Sequence, residues 1–221
     1  MKKLFLILYS IIGIQSVSNA LTIDYLHAVS SDGTLTSSFI GAVVETFDSP
    51  TWEWEGSGQV VLGSLPGKYA APYNSQYMSD KDLTHYMSVP DPDGASTGAY
   101  ATSFKETYTY FGLFWGSIDG YNSLSFYNGL DLVHSFNGKD ITKPGEFGVN
   151  YGNQSAPSTN LYVNFYDLNP FDKVIMTSLS FAFEADNLAV GNRMIPNPEP
   201  ATVILFGFGL LGVAGISRKE K

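Results

Sequence analysis

The chain has no cysteine. That excludes disulfide stapling, a cysteine nucleophile and a thiolate metal site, so stability must come from a packed core. Charge is sparse and one-sided, with 12 Lys and Arg against 21 Asp and Glu in 221 residues. Within 21–196, seven basic residues face nineteen acidic ones, a balance of −12. An acidic surface repels phosphate backbones, which excludes nucleic acid as a partner and leaves cations and neutral sugars open. No long helical period runs through 21–196. Chemistry is equally sparse. His27, His85 and His134 stand singly, with no paired metal-ligand spacing, and the P-loop lysine is absent. Carboxylates are plentiful, but nothing marks two of them as a glycosidase pair. No constellation of nucleophile, base and orienting group is visible, so the reading is a non-enzyme, with a hydrolase least favoured.

What is present points to β structure. Tyr (14), Phe (15) and Gly (22) are abundant. Aromatic residues favour strands, and glycine favours turns. Leu124 and Phe126 alternate with serines, Leu161, Val163 and Phe165 with Tyr162 and Asn164, and Leu179, Phe181 and Phe183 with Ser180 and Ala182. Further strands are predicted over 21–29, 38–47, 59–65, 100–114 and 130–136, separated by Asp32-Gly33, Asn128-Gly129, Asn137-Gly138 and Pro144-Gly145. Asn128-Gly129 predicts a hairpin with a type I′ turn. Residues 66–98, rich in proline and polar side chains, read as a long irregular insertion. The fold class is all-β: a β-sandwich or jelly roll of antiparallel strands in one domain, 21–196.

The two ends carry targeting information. Lys2 and Lys3 precede an apolar run over 4–14, and Ser18-Asn19-Ala20 offers small residues for cleavage after Ala20. This is the order of a signal peptide, 1–20, whose apolar core enters the translocon as a helix. At the other end, 197–221, Pro198-Glu199-Pro200 is followed by a glycine-rich apolar run over 201–216 and then Arg218, Lys219 and Lys221. The run sits at the short end of the roughly 17–25 residues that span a bilayer as a helix. The basic end would stay cytoplasmic, which leaves the body facing outward.

Pro198-Glu199-Pro200, the apolar segment and the basic tail together resemble the PEP-CTERM sorting signal. The resemblance implies a Gram-negative bacterium that makes extracellular polysaccharide. It implies processing by an exosortase-type enzyme near the Pro-Glu-Pro motif, with the inner membrane as transient or stable anchor and the cell surface or medium as destination. In the body, residues 110–127 and the segment from Phe171 to Asn187 resemble one subgroup of exosortase-dependent surface proteins. Phe181-Ala182-Phe183-Glu184-Ala185-Asp186-Asn187 also resembles the last strand of extracellular jelly-roll modules related to carbohydrate-binding domains. That similarity implies a structural calcium at Asp186, with Asp24 or Glu45 as open choices of partner. No other cofactor is implied.

Three further segments are candidate ligand sites. Trp52-Glu53-Trp54-Glu55 is extended, so both indoles fall on one face and both carboxylates on the other. The indoles either stack on sugar rings or pack into the core, and packing is the more usual fate. Trp115, Asp119 and Asn122 lie together in a Gly-containing turn that holds either a sugar or cation, or only its own backbone amides. Asp91-Pro92-Asp93-Gly94 offers oxygens for a cation but lacks the distal ligand of a calcium loop, and a solvated turn is the simpler reading. The leading functional expectation is an exported, non-catalytic protein with a structural or adhesive role in the exopolysaccharide layer. A carbohydrate-binding module, aided by calcium, is the alternative.

Overall fold

The computed structural model describes residues 20–142 and 151–192. The signal peptide up to its last residue, the Pro144-Gly145 turn, the apolar C-terminal helix, and Pro198, Glu199, Pro200, Arg218, Lys219 and Lys221 lie outside the described residues. Ala20 is described and exposed.

Two antiparallel sheets form a β-sandwich. The larger runs in the order β1 (Thr22–Asp24), β12 (Leu161–Tyr166), β9 (Tyr110–Gly116), β14 (Phe183–Gly191), β7 (His85–Val89), β6 (Gln59–Leu62), with β4 (Val43–Glu45) also paired to β14. The smaller runs β11 (Asp131–Asn137), β10 (Asn122–Asn128), β13 (Phe171–Ser178), β8 (Gly98–Tyr108), β5 (Trp54–Gly56). A short ribbon joins β2 (Ala28–Val29) to β3 (Leu35–Thr36).

The main core fills the space between the sheets. Phe111, Leu113, Trp115, Val163, Phe165 and Phe183 from the larger sheet meet Leu124, Phe126, Phe171, Val174 and Met176 from the smaller one. The rings pack mostly edge to face. Phe126 lies 5.3 Å from Phe111, 5.6 Å from Phe165 and 5.0 Å from Phe171, centroid to centroid. In β10 only alternate residues are fully buried, so its outer face meets solvent.

The larger sheet is covered on both faces. Every residue of β9 and β14 is buried. On the outer face Phe114 and Tyr162 pack with Leu35 and Met78, which come from the ribbon and from the 66–98 segment. That segment is therefore no plain loop. It supplies β7, which pairs with β14 and β6, and its Tyr86 and Ala71 form a further apolar cluster with Val61.

Other expectations also shift. The predicted strand 100–114 is two strands, β8 in the smaller sheet and β9 in the larger, broken at Thr109 where the chain crosses the sandwich. Residues 21–29 divide into β1 and β2, because Asp24 Oδ1 accepts from the Leu26 amide and turns the chain. The alternation at Leu179, Phe181 and Phe183 is not one strand. β13 ends at Ser178, Leu179 is 66% exposed, and β14 starts at Phe183. The hairpin at Asn128-Gly129 forms, but its central pair is Gly129-Leu130, with Asn128 opposite Asp131. Only Gly129 has positive φ (59°), which is the type II′ pattern rather than I′. Asn137-Gly138 opens a helical turn, α1 (Gly138–Ile141), that Asn137 caps by accepting from the Lys139 amide.

Candidate functional site

The bulge in β14 between Asp186 and Ala189 sets the site. Before it, Phe183 and Ala185 point into the main core. Glu184 and Asp186 therefore point to the outer face, where loops cover them. Both are almost fully buried, at 2% and 1% exposure. Two acids two residues apart on one buried face create two distinct environments.

Glu184 forms part of the wall of a polar pocket of about 340 Å³. Four connections build the rest. Lys68 and Tyr69 come from the β6–β7 segment, Ser117, Asp119 and Tyr121 from the β9–β10 turn, Tyr151 and Gln154 from the approach to β12, and Phe181 from the β13–β14 turn. The Glu184 carboxyl accepts from the Ala70 amide at 2.9 Å and from Ser117 Oγ at 2.8 Å. Burial pushes its pKa up to about 8, those two hydrogen bonds oppose the rise, and the nearby charge of Asp119 adds to it. Burial also raises Asp119, against a hydrogen bond from Tyr121. The Tyr121 hydroxyl lies between this carboxyl and the Phe181 carbonyl, to which it donates at 2.8 Å. The Ser117 backbone has φ 35° and its amide donates to Asn160 Oδ1 at 2.9 Å. Gly152 has φ 70°, and a Cβ there would meet Asp119 Oδ1 at 2.7 Å, so glycine is what lets the chain pass the carboxylate.

Asp186 faces a different partner. Its carboxyl lies against that of Asp82, itself 1% exposed. Asp82 Oδ1 accepts from the Thr84 amide and hydroxyl, but Asp82 Oδ2 and Asp186 Oδ1 have no donor. Burial raises the pKa of both; Asp82 raises that of Asp186 further, while the contact with Asp186 holds that of Asp82 back. Asp32 adds negative charge from the β2–β3 turn, where Ser30 and Thr34 hydrogen-bond it. The same turn is tied to β14, because Asn187 Nδ2 donates to Thr34 Oγ1 and Leu35 O. The acids that sequence left open as partners of Asp186 are engaged elsewhere. Asp24 accepts from Leu26 and Asn164, and Glu45 accepts from the amides of Phe47, Thr51 and Trp52.

The indoles form no exposed planar array. Trp115 is fully buried and stacks on Phe183 at 4.3 Å. Trp52 and Trp54 share one face, as alternation requires, and stand 6.2 Å apart. Trp54 stacks on Tyr100, Trp52 meets Phe104 edge-on, and both pack half-buried on the main core. Asn122 is fully buried, donating to the Ala182 carbonyl and accepting from Ser178, so it ties the β9–β10 turn to the β13–β14 turn. Of the Trp115, Asp119 and Asn122 group, Asp119 alone reaches the pocket.

Gly94-Ala95-Ser96-Thr97-Gly98 has the spacing of a hydrolase nucleophile elbow. That elbow needs a strand-to-helix turn, but here Ser96 is exposed and strand β8 follows at Gly98. Asp91 closes a solvated turn by accepting from the Asp93 amide. Among the described residues, no group of three or more His, Asp or Glu side chains is placed to hold a metal. A cation at the Asp82–Asp186 pair would draw its other oxygens from carbonyls, hydroxyls and water, as calcium sites do. The two orphaned buried oxygens fit such an ion.

Residues 198–219 match the PEP-CTERM protein-sorting motif. The chain carries a PEP-CTERM signal. The motif implies export, sorting to the cell surface and processing by an exosortase. The match covers the C-terminal segment and leaves the β-sandwich unassigned. No curated protein matches the chain. Among the described residues no helix is long and apolar enough to cross a membrane.

Proposed function

We propose that the sorted protein is a non-catalytic structural or adhesive component of the extracellular polysaccharide layer. The observation that carries this is the PEP-CTERM motif at the end of a β-sandwich with an acidic surface. The signal peptide delivers the chain, with cleavage after Ala20. The apolar run and Arg218, Lys219 and Lys221 hold it in the inner membrane until cleavage near Pro198-Glu199-Pro200. The Trp52–Trp54 pair and Trp115 then serve the core of the sandwich.

The reading includes a bound divalent cation. Asp82 and Asp186 would hold calcium, which cancels the repulsion of two buried carboxylates and joins the Asp82 loop to β14. Calcium here is structural and supplies no chemistry.

The test is co-sedimentation of the mature protein with exopolysaccharide purified from the same cells. The expected result is sedimentation that depends on polysaccharide. Protein that stays in the supernatant at every polysaccharide concentration contradicts a matrix role.

A further inference from the structure

We propose that the polar pocket around Glu184 and Asp119 binds the end of a glycan, taking one uncharged, hydroxyl-rich sugar unit. This deepens the matrix reading and rests on it for the source of the ligand.

The size of the pocket sets the first limit. At about 340 Å³ it lies at the small end of ligand pockets, roughly 300–1,000 Å³. It suits one sugar ring rather than a long stretch of chain.

The chemistry of the walls sets the second. They present hydroxyls, carboxyls, an amide and an ammonium group, with little apolar surface. That excludes a lipid or other apolar ligand. Phosphate and other polyanions meet Asp119 with only Lys68 to offset it, and Lys68 sits over the Phe181 ring, 4.0 Å from its centroid. A bare cation finds no open pair of oxygens at Glu184, whose two carboxyl oxygens already take the Ala70 and Ser117 donors. Sugar hydroxyls both donate and accept, and the pocket offers both kinds of partner. Asp119 accepts. Gln154 does both. Tyr69, Tyr121 and Tyr151 complete the wall.

The walls are also held in place before any ligand arrives. Tyr121 is fixed to Phe181, Ser117 to Asn160 and Glu184, and Asn122 to Ala182. Four separate connections of the chain converge on this volume. A pocket set in advance loses less freedom on binding.

The experiment uses the mature protein and two variants, Asp119→Ala and Tyr151→Ala. Asp119 is only partly buried and lies in the β9–β10 turn outside both sheets, and thermal unfolding checks that its loss leaves the sandwich standing. The probes are the methyl glycosides of glucose, galactose and mannose, with glucuronic acid as a charged counterpart, followed by NMR. At least one neutral glycoside should shift resonances of residues 117–121 and 151–154 with millimolar affinity. Asp119→Ala should weaken that binding roughly tenfold, the scale of one hydrogen bond to a charged group. Resonances that stay unmoved by every neutral glycoside overturn the proposal. So does an affinity in both variants equal to the parent's, or a preference for glucuronic acid. Co-sedimentation separates the two readings. Variants that sediment with polysaccharide as the parent does leave the matrix role standing and remove the pocket from it. A parent that never sediments ends the matrix role, and the glycoside shifts alone then decide the pocket.

Discussion

At neutral pH the Glu184 carboxyl keeps its proton. Burial under the loop layer outweighs the two hydrogen bonds it accepts, and its pKa stands at about 8 against an ordinary 4.5. The folded state therefore binds a proton that the unfolded state has released. Its contribution to stability is complete below about pH 4.5 and falls away as pH rises to about 8. Glu184→Gln keeps the size, accepts from Ala70 and donates to Ser117, but does not titrate. The variant should gain stability over the parent as pH rises from 5 to 8, on the order of a few kcal/mol by the end of that range. Thermal unfolding of both proteins across that range reads the difference directly, and a difference that stays constant with pH contradicts the assignment. Sequence reasoning gave no hint of Glu184 as a special acid. Its partners come from residues 70 and 117, and only the fold brings them together. Asp119 was legible because it shares a tight turn with glycines and Asn122. Trp115 in the same turn read as a ligand group, yet the strand it ends points it inward.

Strand alternation was legible wherever one face of the element meets solvent. Leu124 and Phe126 read correctly because β10 has an outer face. β12 also stood out, although its alternate positions Tyr162 and Asn164 are buried too. The readings failed at β7, which is covered on both faces, and where a strand bends. β7 lies in a proline- and polar-rich stretch whose composition hides the buried Tyr86, Met87 and Val89. β8 and β9 read as one strand because the break at Thr109 leaves the residue pattern unchanged. The double cover has a thermodynamic consequence at β14, where Asp186 meets Asp82 without a donor. Calcium binding to the folded state alone adds about 2.7 kcal/mol at a hundredfold excess over Kd. The melting temperature should rise with calcium and fall with a chelator. In Asp186→Asn the response to calcium should vanish, while stability in chelator at pH 7 should exceed that of the parent, since one of two facing charges is gone. A melting temperature equal in calcium and chelator contradicts the cation and leaves a proton shared by the pair.

At the scale of the whole molecule, the sorting signal is written at residues 198–219 and shape in the body before it. The PEP-CTERM motif was readable because sorting signals are recognised as linear order: a rigid Pro-Glu-Pro, an apolar run, a basic stop. The sandwich was readable as a class because aromatic strands and glycine turns recur over 21–196 without a helical period. The pocket was not readable, since it depends on four connections far apart in sequence meeting at one end of the sheets. The most direct test of this account is the intact mass of the mature protein from the cell envelope and from the medium. Loss of residues 1–20 together with a new C-terminus near Pro198-Glu199-Pro200 is the predicted result. A mass that retains the apolar segment and Arg218, Lys219 and Lys221 in every fraction would contradict exosortase processing and leave a stably anchored envelope protein.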